Sequence, residues 1–412
     1  MTDLLSVEIA LAHILDAVNP LPREPLSLTE ALGRVLAEDI VSDINIPPFA
    51  NSSMDGYAVR AADLAGATQQ APARLQVVMD IPAGSSPDQT LMPGQAARIM
   101  TGAPMPEGAD AVIPVEQTDT NWRAGEDIAL ADHVSIYRSL QSGDYVRPAG
   151  EDIHTGQTVL QAGTTLRPQD LGVLAALGQA QITVIRQPRV AIVSTGDELV
   201  DVSEPLAPGK IRDTNSHTLA GLIHNIGGIP LRLPIARDTL DAVRGMFRDA
   251  LDQQPDLIIS TAGVSVGTFD VVRTVLNELG KVEFWRVNVR PGKPLAFGQV
   301  QGVPFFGLPG NPVSAMVTFD IFVRAALFKM LSKTDDAETV MAQTSEDIKS
   351  DGRRSYLRVQ LHHENGQLIA RTTGTQSSGA LMSMVLADGL LIVPEDQVMV
   401  PAGTQLPVRL LR

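Results

Sequence analysis

The 412-residue chain has no cysteine. That excludes a disulfide scaffold, a thiolate metal site and a cysteine nucleophile, and it fits a reducing compartment. Aromatic residues make only 4%, and the two tryptophans are too few for a base-stacking platform. The seven histidines show no metal-ligand spacing, and His362-His363 reads as an exposed strand-to-turn pair. No apolar run reaches the roughly 18 residues of a membrane span. The best stretch, Pro312 to Leu331, is interrupted by Asp320 and Arg324. The N-terminal MTDLLSVEIALAHILD carries acids where a signal peptide carries a basic region. Cations are the scarcer charge, 32 Lys+Arg against 47 Asp+Glu, for a net charge of −15. That argues against a nucleic-acid face. A local cluster of Arg and Lys can still attract an anionic substrate. The expectation is a cytoplasmic protein with no nucleic-acid or membrane partner.

What is present is a globular composition, 44% hydrophobic and 19% charged. At roughly 100–200 residues per domain, two to four domains follow. Val7, Ala10, Leu11, Ile14, Ala17 and Val18 recur at helical spacing, and Pro20, Pro22 and Pro25 end that helix. Ser27-Leu-Thr-Glu30 resembles a capping box. Residues 51–149 are rich in Gly, Pro and short alternating runs and read as a β-rich insertion. A helix is expected over Gln169–Leu177. From Arg189 strands and helices alternate: strands Val190–Val193, Leu231–Ile235 and Leu257–Ser260, with helices Thr218–Ile226, Leu240–Leu251 and one ending at Leu279. That pattern implies a parallel, doubly wound sheet, whose ligands sit beyond the carboxyl ends of the strands. A tight turn at Gly307–Pro312 leads into a long helix, Val313–Leu331. Short strands return after residue 334, giving a small all-β terminal domain.

Several constellations could carry chemistry. The Gly263–Gly267 loop is a strand-to-helix turn whose backbone N–H groups could cradle a phosphate, or simply a tight turn. Ser194-Thr-Gly-Asp197-Glu198 ends a strand and suits a hydroxyl or a metal-held phosphate; a solvated loop reads equally well. Asp213, Asp238 and Asp270 surround the same sheet. They would suit Mg²⁺ bridging a phosphate, and each also precedes a helical run as an N-cap would. Arg286, Arg290 and Lys293 place three cations within eight residues. Alternation puts the two arginines on one side of a strand, and Pro291-Gly-Lys-Pro presents Lys293 on a turn. Forked donors of this kind suit a tetrahedral oxyanion; a solvated basic face is the alternative. Asn51–Ala58, Thr101–Pro104 and Arg147–Asp152 are polar turns. Arg353-Arg354 and Ser377-Ser378-Gly379 could add cations and hydroxyls to an anion site.

Taken together, these segments resemble the molybdopterin molybdotransferase family, the MoeA type, which the eukaryotic protein gephyrin also contains. The motifs are Pro47-Pro-Phe-Ala-Asn-Ser-Ser-Met-Asp-Gly-Tyr-Ala58, Ile99-Met-Thr-Gly-Ala-Pro104, Arg147-Pro-Ala-Gly-Glu-Asp152, Ser194-Thr-Gly-Asp-Glu-Leu199, Thr261-Ala-Gly-Val-Ser-Val-Gly267, Arg290-Pro-Gly-Lys-Pro294 and Gly307-Leu-Pro-Gly-Asn-Pro-Val-Ser314. They cover nearly the whole chain in the family's order. The resemblance implies a multidomain α/β plus β fold. Its parts are a discontinuous N-terminal dimerisation domain (1–50 and 150–183), a β-rich lid domain (51–149), a doubly wound α/β molybdopterin-binding domain (184–333) and a C-terminal β-barrel domain (334–412). It implies a homodimer that inserts molybdate into adenylyl-molybdopterin and releases AMP with help from Mg²⁺.

Carried over by motif, the catalytic positions are Asp55, Thr101, Asp152, Glu198, Asp238 and Asp270. Glu198, Asp238 and Asp270 also form the metal set, and the lid residues act across the dimer. Ser194, Thr195, Asp213, Gly263, Val264, Ser265 and Gly267 hold pterin and phosphate. Arg286, Arg290 and Lys293 form the molybdate side, with Arg353 and Ser378 at its edge. Pro309 and Pro312 match the family's proline-bearing turn. The implied partners are a molybdopterin adenylyltransferase and acceptor molybdoenzymes. Ala262 stands where the family usually has glycine, and Arg286 and Arg290 where lysine is common; this bears on affinity and on molybdate-versus-tungstate preference. A molybdopterin-binding scaffold without catalysis is the alternative function. An adenylyltransferase and a competence-damage-type protein share the α/β domain only.

Overall fold

The computed structural model describes residues 4–120, 122, 129–261, 269–334 and 337–411. Ala262 and the Gly263–Gly267 loop lie outside them, as does the Asp270 side chain. The chain divides into two compact units. One comprises Met1–Glu38, Gly163–Arg167 and Gln181–Arg412; the other comprises Asp39–Ala162 and Pro168–Ala180.

The first unit begins with helix α1 (Val7–Ala17), where Ser6 accepts a hydrogen bond from the Ile9 N–H. The expected capping box does not form. Arg23–Ser27 is a strand paired with Gln181–Ile185, followed by a single 3₁₀ turn at Leu28–Glu30. Ser27 Oγ donates to Glu30 and caps no backbone N–H.

The α/β part of this unit is a six-stranded sheet. Its strands are β1 (Arg189–Val193), β2 (Ile229–Arg232), β3 (Leu257–Ser260), β4 (Gly280–Arg286), β5 (Pro294–Val300) and β6 (Val303–Gly307), in the order β2-β1-β3-β6-β5-β4. The first four in that order are parallel, and β5 and β4 extend the sheet antiparallel. Both faces are covered. Val190, Ile192, Ile259 and Phe306 face one core with α1 and α2 (Asn215–Ile226), and Ala191, Val193, Ile258 and Phe305 face another with α3 (Leu240–Asp252) and α4 (Phe269–Leu279). Burial on both sides is why these strands read as continuous apolar runs. Each such large side chain contributes about 1.5–3 kcal/mol.

Two strand expectations shift. The strand sought at 231–235 lies at Ile229–Arg232, because it starts directly after the left-handed Gly227 that ends α2. The alternation over Trp285–Arg290 is not one strand. β4 stops at Arg286, and Val289–Arg290 joins a different sheet beside Arg354–Ser355. Helix α5 (Pro312–Thr318) places Pro312 in its first turn and runs on through a π-helical turn, Phe319–Val323, to a last segment, Arg324–Met330.

Beyond it, β7 (Thr339–Thr344), β8 (Arg354–Glu364), β9 (Gln367–Thr372), β10 (Gly389–Val393) and β11 (Gln405–Leu410) close a five-stranded barrel. The ring runs β8-β9-β7-β11-β10 and returns to β8.

In the second unit, five strands form one sheet in the order Ala111–Pro114, Gly56–Val59, Gln95–Ile99, Ala73–Ile81, His133–Ile136. Gly56 is required by close approach: a Cβ there would lie 1.9 Å from the Ile113 carbonyl oxygen. Tyr57 and Trp122 meet edge-on in its core, and Trp122 Nε1 donates to Tyr57 Oη at 3.1 Å. Pro168–Ala176 is the helix expected near Gln169. Among the described residues, no helix is long and apolar enough to cross a membrane.

Candidate functional site

The carboxyl ends of β1, β3 and β6 converge on one polar floor. Ser194 Oγ lies 3.0 Å from Thr261 Oγ1. The Thr195 hydroxyl is buried and has no hydrogen-bond partner. Leaving such a group unpaired costs about 1–3 kcal/mol, so it is a natural place for a ligand atom. Asp213 accepts from the Ser216 N–H at 3.0 Å and so caps α2 from one residue before the formal cap. Asn215 Nδ2 donates to the Gly310 carbonyl at 2.8 Å, tying α2 to the Leu308–Pro312 turn. The Leu308 N–H donates to Ser260 O at 2.8 Å. Pro309 is buried in this turn.

An acidic group flanks the floor. The Asp197 and Asp238 backbone N–H groups each donate to the other's carboxylate at 3.4 Å. Asp238 does not cap α3; Thr239 does, accepting from Ala242 N. The Asp238 carboxylate keeps one buried oxygen with no partner. Burial raises its pKa, and the charges of Asp197 and Glu198 raise it further. Glu198 folds back over Gly196, where a Cβ would lie 2.8 Å from both carboxylate oxygens. Gly196, at φ +152°, is favoured by its backbone conformation, and a side chain there would push the Glu198 carboxylate aside. Lys210 Nζ donates to the Asp197 carbonyl. Among the described residues, no three acids or histidines close into a metal-ligand cluster. The orphaned Asp238 oxygen among three carboxylates nevertheless has the charge and the free acceptor that a divalent cation needs.

A cationic group stands against α5. The turn after Arg290 packs onto that helix. At Gly292, φ is +108°, and a Cβ would meet Thr318 Oγ1 at 2.4 Å. Lys293 is half-buried on this turn. Arg353 is committed elsewhere: it forms an ion pair with Asp351 and donates to the Val289 carbonyl at 3.1 Å. Arg286 sits exposed at the end of β4.

Arg358 was not among the residues expected from sequence. It is 1% exposed in the middle of β8. Its guanidinium donates to Ser383 Oγ at 3.1 Å and to the carbonyls of Ser377 at 3.2 Å and Thr375 at 3.5 Å. No carboxylate answers it among the described residues. Burial, and then the charge of Arg290, push its pKa down to about 10. It stays a cation at neutral pH. The loop it anchors carries Ser378, whose carbonyl accepts from the Val313 N–H at the start of α5. Alternation with Leu357 and Val359 reads as an ordinary polar face of the strand, so nothing along the chain separates Arg358 from Arg353 and Arg354.

Comparison with known proteins decides what this arrangement belongs to. Residues 5–178 match the model of the MoeA N-terminal region (domain I and II), 191–329 that of a probable molybdopterin binding domain, and 341–411 that of the MoeA C-terminal region (domain IV). The chain is 40% identical over 405 residues to molybdopterin molybdenumtransferase 2 of Mycobacterium tuberculosis, covering 96% of each. The chain belongs to the MoeA family. It is 36% identical to the molybdopterin molybdenumtransferase of Bacillus subtilis, covering 94% of this chain and 90% of that one. Two solved structures of a MoeA protein from Pyrococcus horikoshii superpose with TM-scores of 0.86 and 0.81 at 32% identity, over 100% and 99% of this chain and 100% of each of theirs. The flanking MoeA regions are what an adenylyltransferase or a competence-damage-type protein, sharing the α/β domain alone, does not account for.

In the second unit Asp55 and Thr101 are brought together. The Thr101 N–H and hydroxyl both donate to Asp55 Oδ1, at 2.7 and 2.8 Å. Asp152 is exposed, and its N–H donates to Ile46 O at 3.0 Å.

Proposed function

We propose that this protein completes molybdenum cofactor biosynthesis by inserting molybdate into adenylyl-molybdopterin with release of AMP. The single observation that carries the proposal is the buried, carboxylate-free Arg358 beside Arg290, in a chain of the MoeA family. Arg290, Lys293 and Arg358 bind the oxyanion; Arg offers forked donors to it. Ser194, Thr195 and the capped start of α2 hold the pterin and its phosphate. Holding the two reactants in adjacent subsites supplies the rate through proximity.

The family's Mg²⁺ fits the acidic group, where Asp238 and Glu198, joined by Asp270, would hold it. When bound it supplies charge neutralisation at the phosphoanhydride that AMP leaves from. The substrate's own dithiolene receives the metal, so a cysteine-free protein suffices. Asp55, Thr101 and Asp152 serve as lid residues in this reading, in a cytoplasmic homodimer fed by a molybdopterin adenylyltransferase and drained by acceptor molybdoenzymes.

The test is AMP release from purified adenylyl-molybdopterin with Mg²⁺, with and without molybdate. Molybdate-dependent release is the expected result. Tight pterin binding with no release would point instead to a scaffold. Asp270→Asn and Lys293→Ala are each expected to abolish or strongly slow turnover while the protein stays folded. Full turnover in both would refute these assignments.

A further inference from the structure

The oxyanion subsite contains a residue of the wrong sign. Asp351 lies in the turn before β8, with a half-exposed side chain. One of its carboxylate oxygens is 2.5 Å from Arg353 Nη2 and 3.6 Å from Arg290 Nη1. Arg353 Nε and backbone N–H also donate to Asp351, at 3.2 and 3.3 Å. Arg353 is thus held by Asp351 at one end and by the Val289 carbonyl at the other. The Arg353 hydrogen bond holds the Asp351 carboxyl below the usual carboxylate range, so it is fully ionised at neutral pH. Two guanidiniums, Arg290 and Arg353, therefore share one carboxylate, while Arg358, whose charge is felt by Arg290, has none.

We propose that Asp351 is a counter-charge that sets the affinity of the oxyanion subsite. This rests on the reading of Arg290, Lys293 and Arg358 as the molybdate side. Two effects act in the same direction. The carboxylate's negative charge repels an arriving dianion, and its ion pair must yield before Arg290 can turn both forks to the ligand. An exposed pair of this kind is individually weak, which suits adjustment rather than abolition of binding.

The experiment compares wild type, Asp351→Asn, Arg353→Gln and the double variant, with molybdate as the varied ligand and AMP release as the rate. Asp351→Asn is isosteric and is expected to lower the molybdate KM by roughly fivefold, with kcat unchanged. Inhibition by sulfate should strengthen by a similar factor, and both effects should shrink at high salt. Arg353→Gln frees Asp351 to pair fully with Arg290 and should raise the KM. The double variant should return it close to the wild-type value. An unchanged or raised KM in Asp351→Asn, in a protein whose melting temperature is unaltered, overturns the proposal. Arg290→Ala separates the two levels. If it raises the KM while Asp351→Asn does not lower it, the subsite stands and the counter-charge fails. If Arg290→Ala leaves the KM unchanged, the subsite reading itself fails.

Discussion

Single side chains carry most of the chemistry here, and two of them are held at an energetic disadvantage. Asp238 keeps a buried oxygen without a donor and faces Asp197 and Glu198. Its folded-state pKa lies above its unfolded value. Protonation therefore favours the folded state, and this contribution is lost as pH rises through the raised pKa. The apo protein is expected to gain thermal stability on mild acidification through that window. Asp238→Asn should be more stable than the wild type at neutral pH. Mg²⁺ should stabilise the wild type and not the variant. Calorimetry with and without the ion checks all three, and an apo variant less stable than wild type would contradict them. Arg358 is the second such residue. Sequence alternation did not single it out, since Arg353, Arg354 and Arg358 look alike along the chain. Only the closure of the barrel buries one of them and leaves Arg353 and Arg354 to carboxylates.

The elements set where these residues stand, and here the sequence was most legible. The β1, β3 and helical segments of the α/β part fall within a few residues of expectation, because strands buried on both faces leave unbroken apolar runs. The error at Arg286–Arg290 has a physical cause. Period-two alternation cannot reveal that a chain changes sheets, and Val287–Asn288 is where it does so. Tight turns then fix the geometry. Gly292→Ala should displace the Lys293 turn from Thr318 and raise the molybdate KM several-fold, with a loss of about 1–3 kcal/mol from overpacking. Gly56→Ala should cost at least as much, because its clash is with backbone, and should act on the Trp122 environment. Intrinsic fluorescence and a melt distinguish the two. A Gly292→Ala enzyme with wild-type KM would show that the turn does not position the subsite.

At the scale of the molecule, the charge balance works against the substrate. A net charge of −15 repels both an oxyanion and an adenylylated pterin, so capture depends on the local cations. Added salt screens the unfavourable global field and the favourable local one together. At separations within about 10 Å the local field persists longest at 0.1 M. The molybdate KM is accordingly expected to change little between low and physiological salt and to rise only at higher salt. A steep monotonic rise from low salt would mean that the exposed cations, rather than buried Arg358, dominate binding. The C-terminal β-barrel expected from the family resemblance is present as a closed five-strand ring, but local strand pattern alone does not reveal how the ring closes. The parallel β7–β9 pairing that completes it joins strands separated by the whole of β8.

The measurement that bears most directly on the central claim is the molybdate KM of Arg358→Gln in the AMP-release reaction, alongside its melting temperature. Loss of a buried, charge-assisted partner predicts a KM raised by about 30-fold or more in a protein that still folds. A wild-type KM in that variant would mean that the buried guanidinium serves only to anchor the Thr375–Ser378 loop, and the oxyanion site would have to be sought elsewhere.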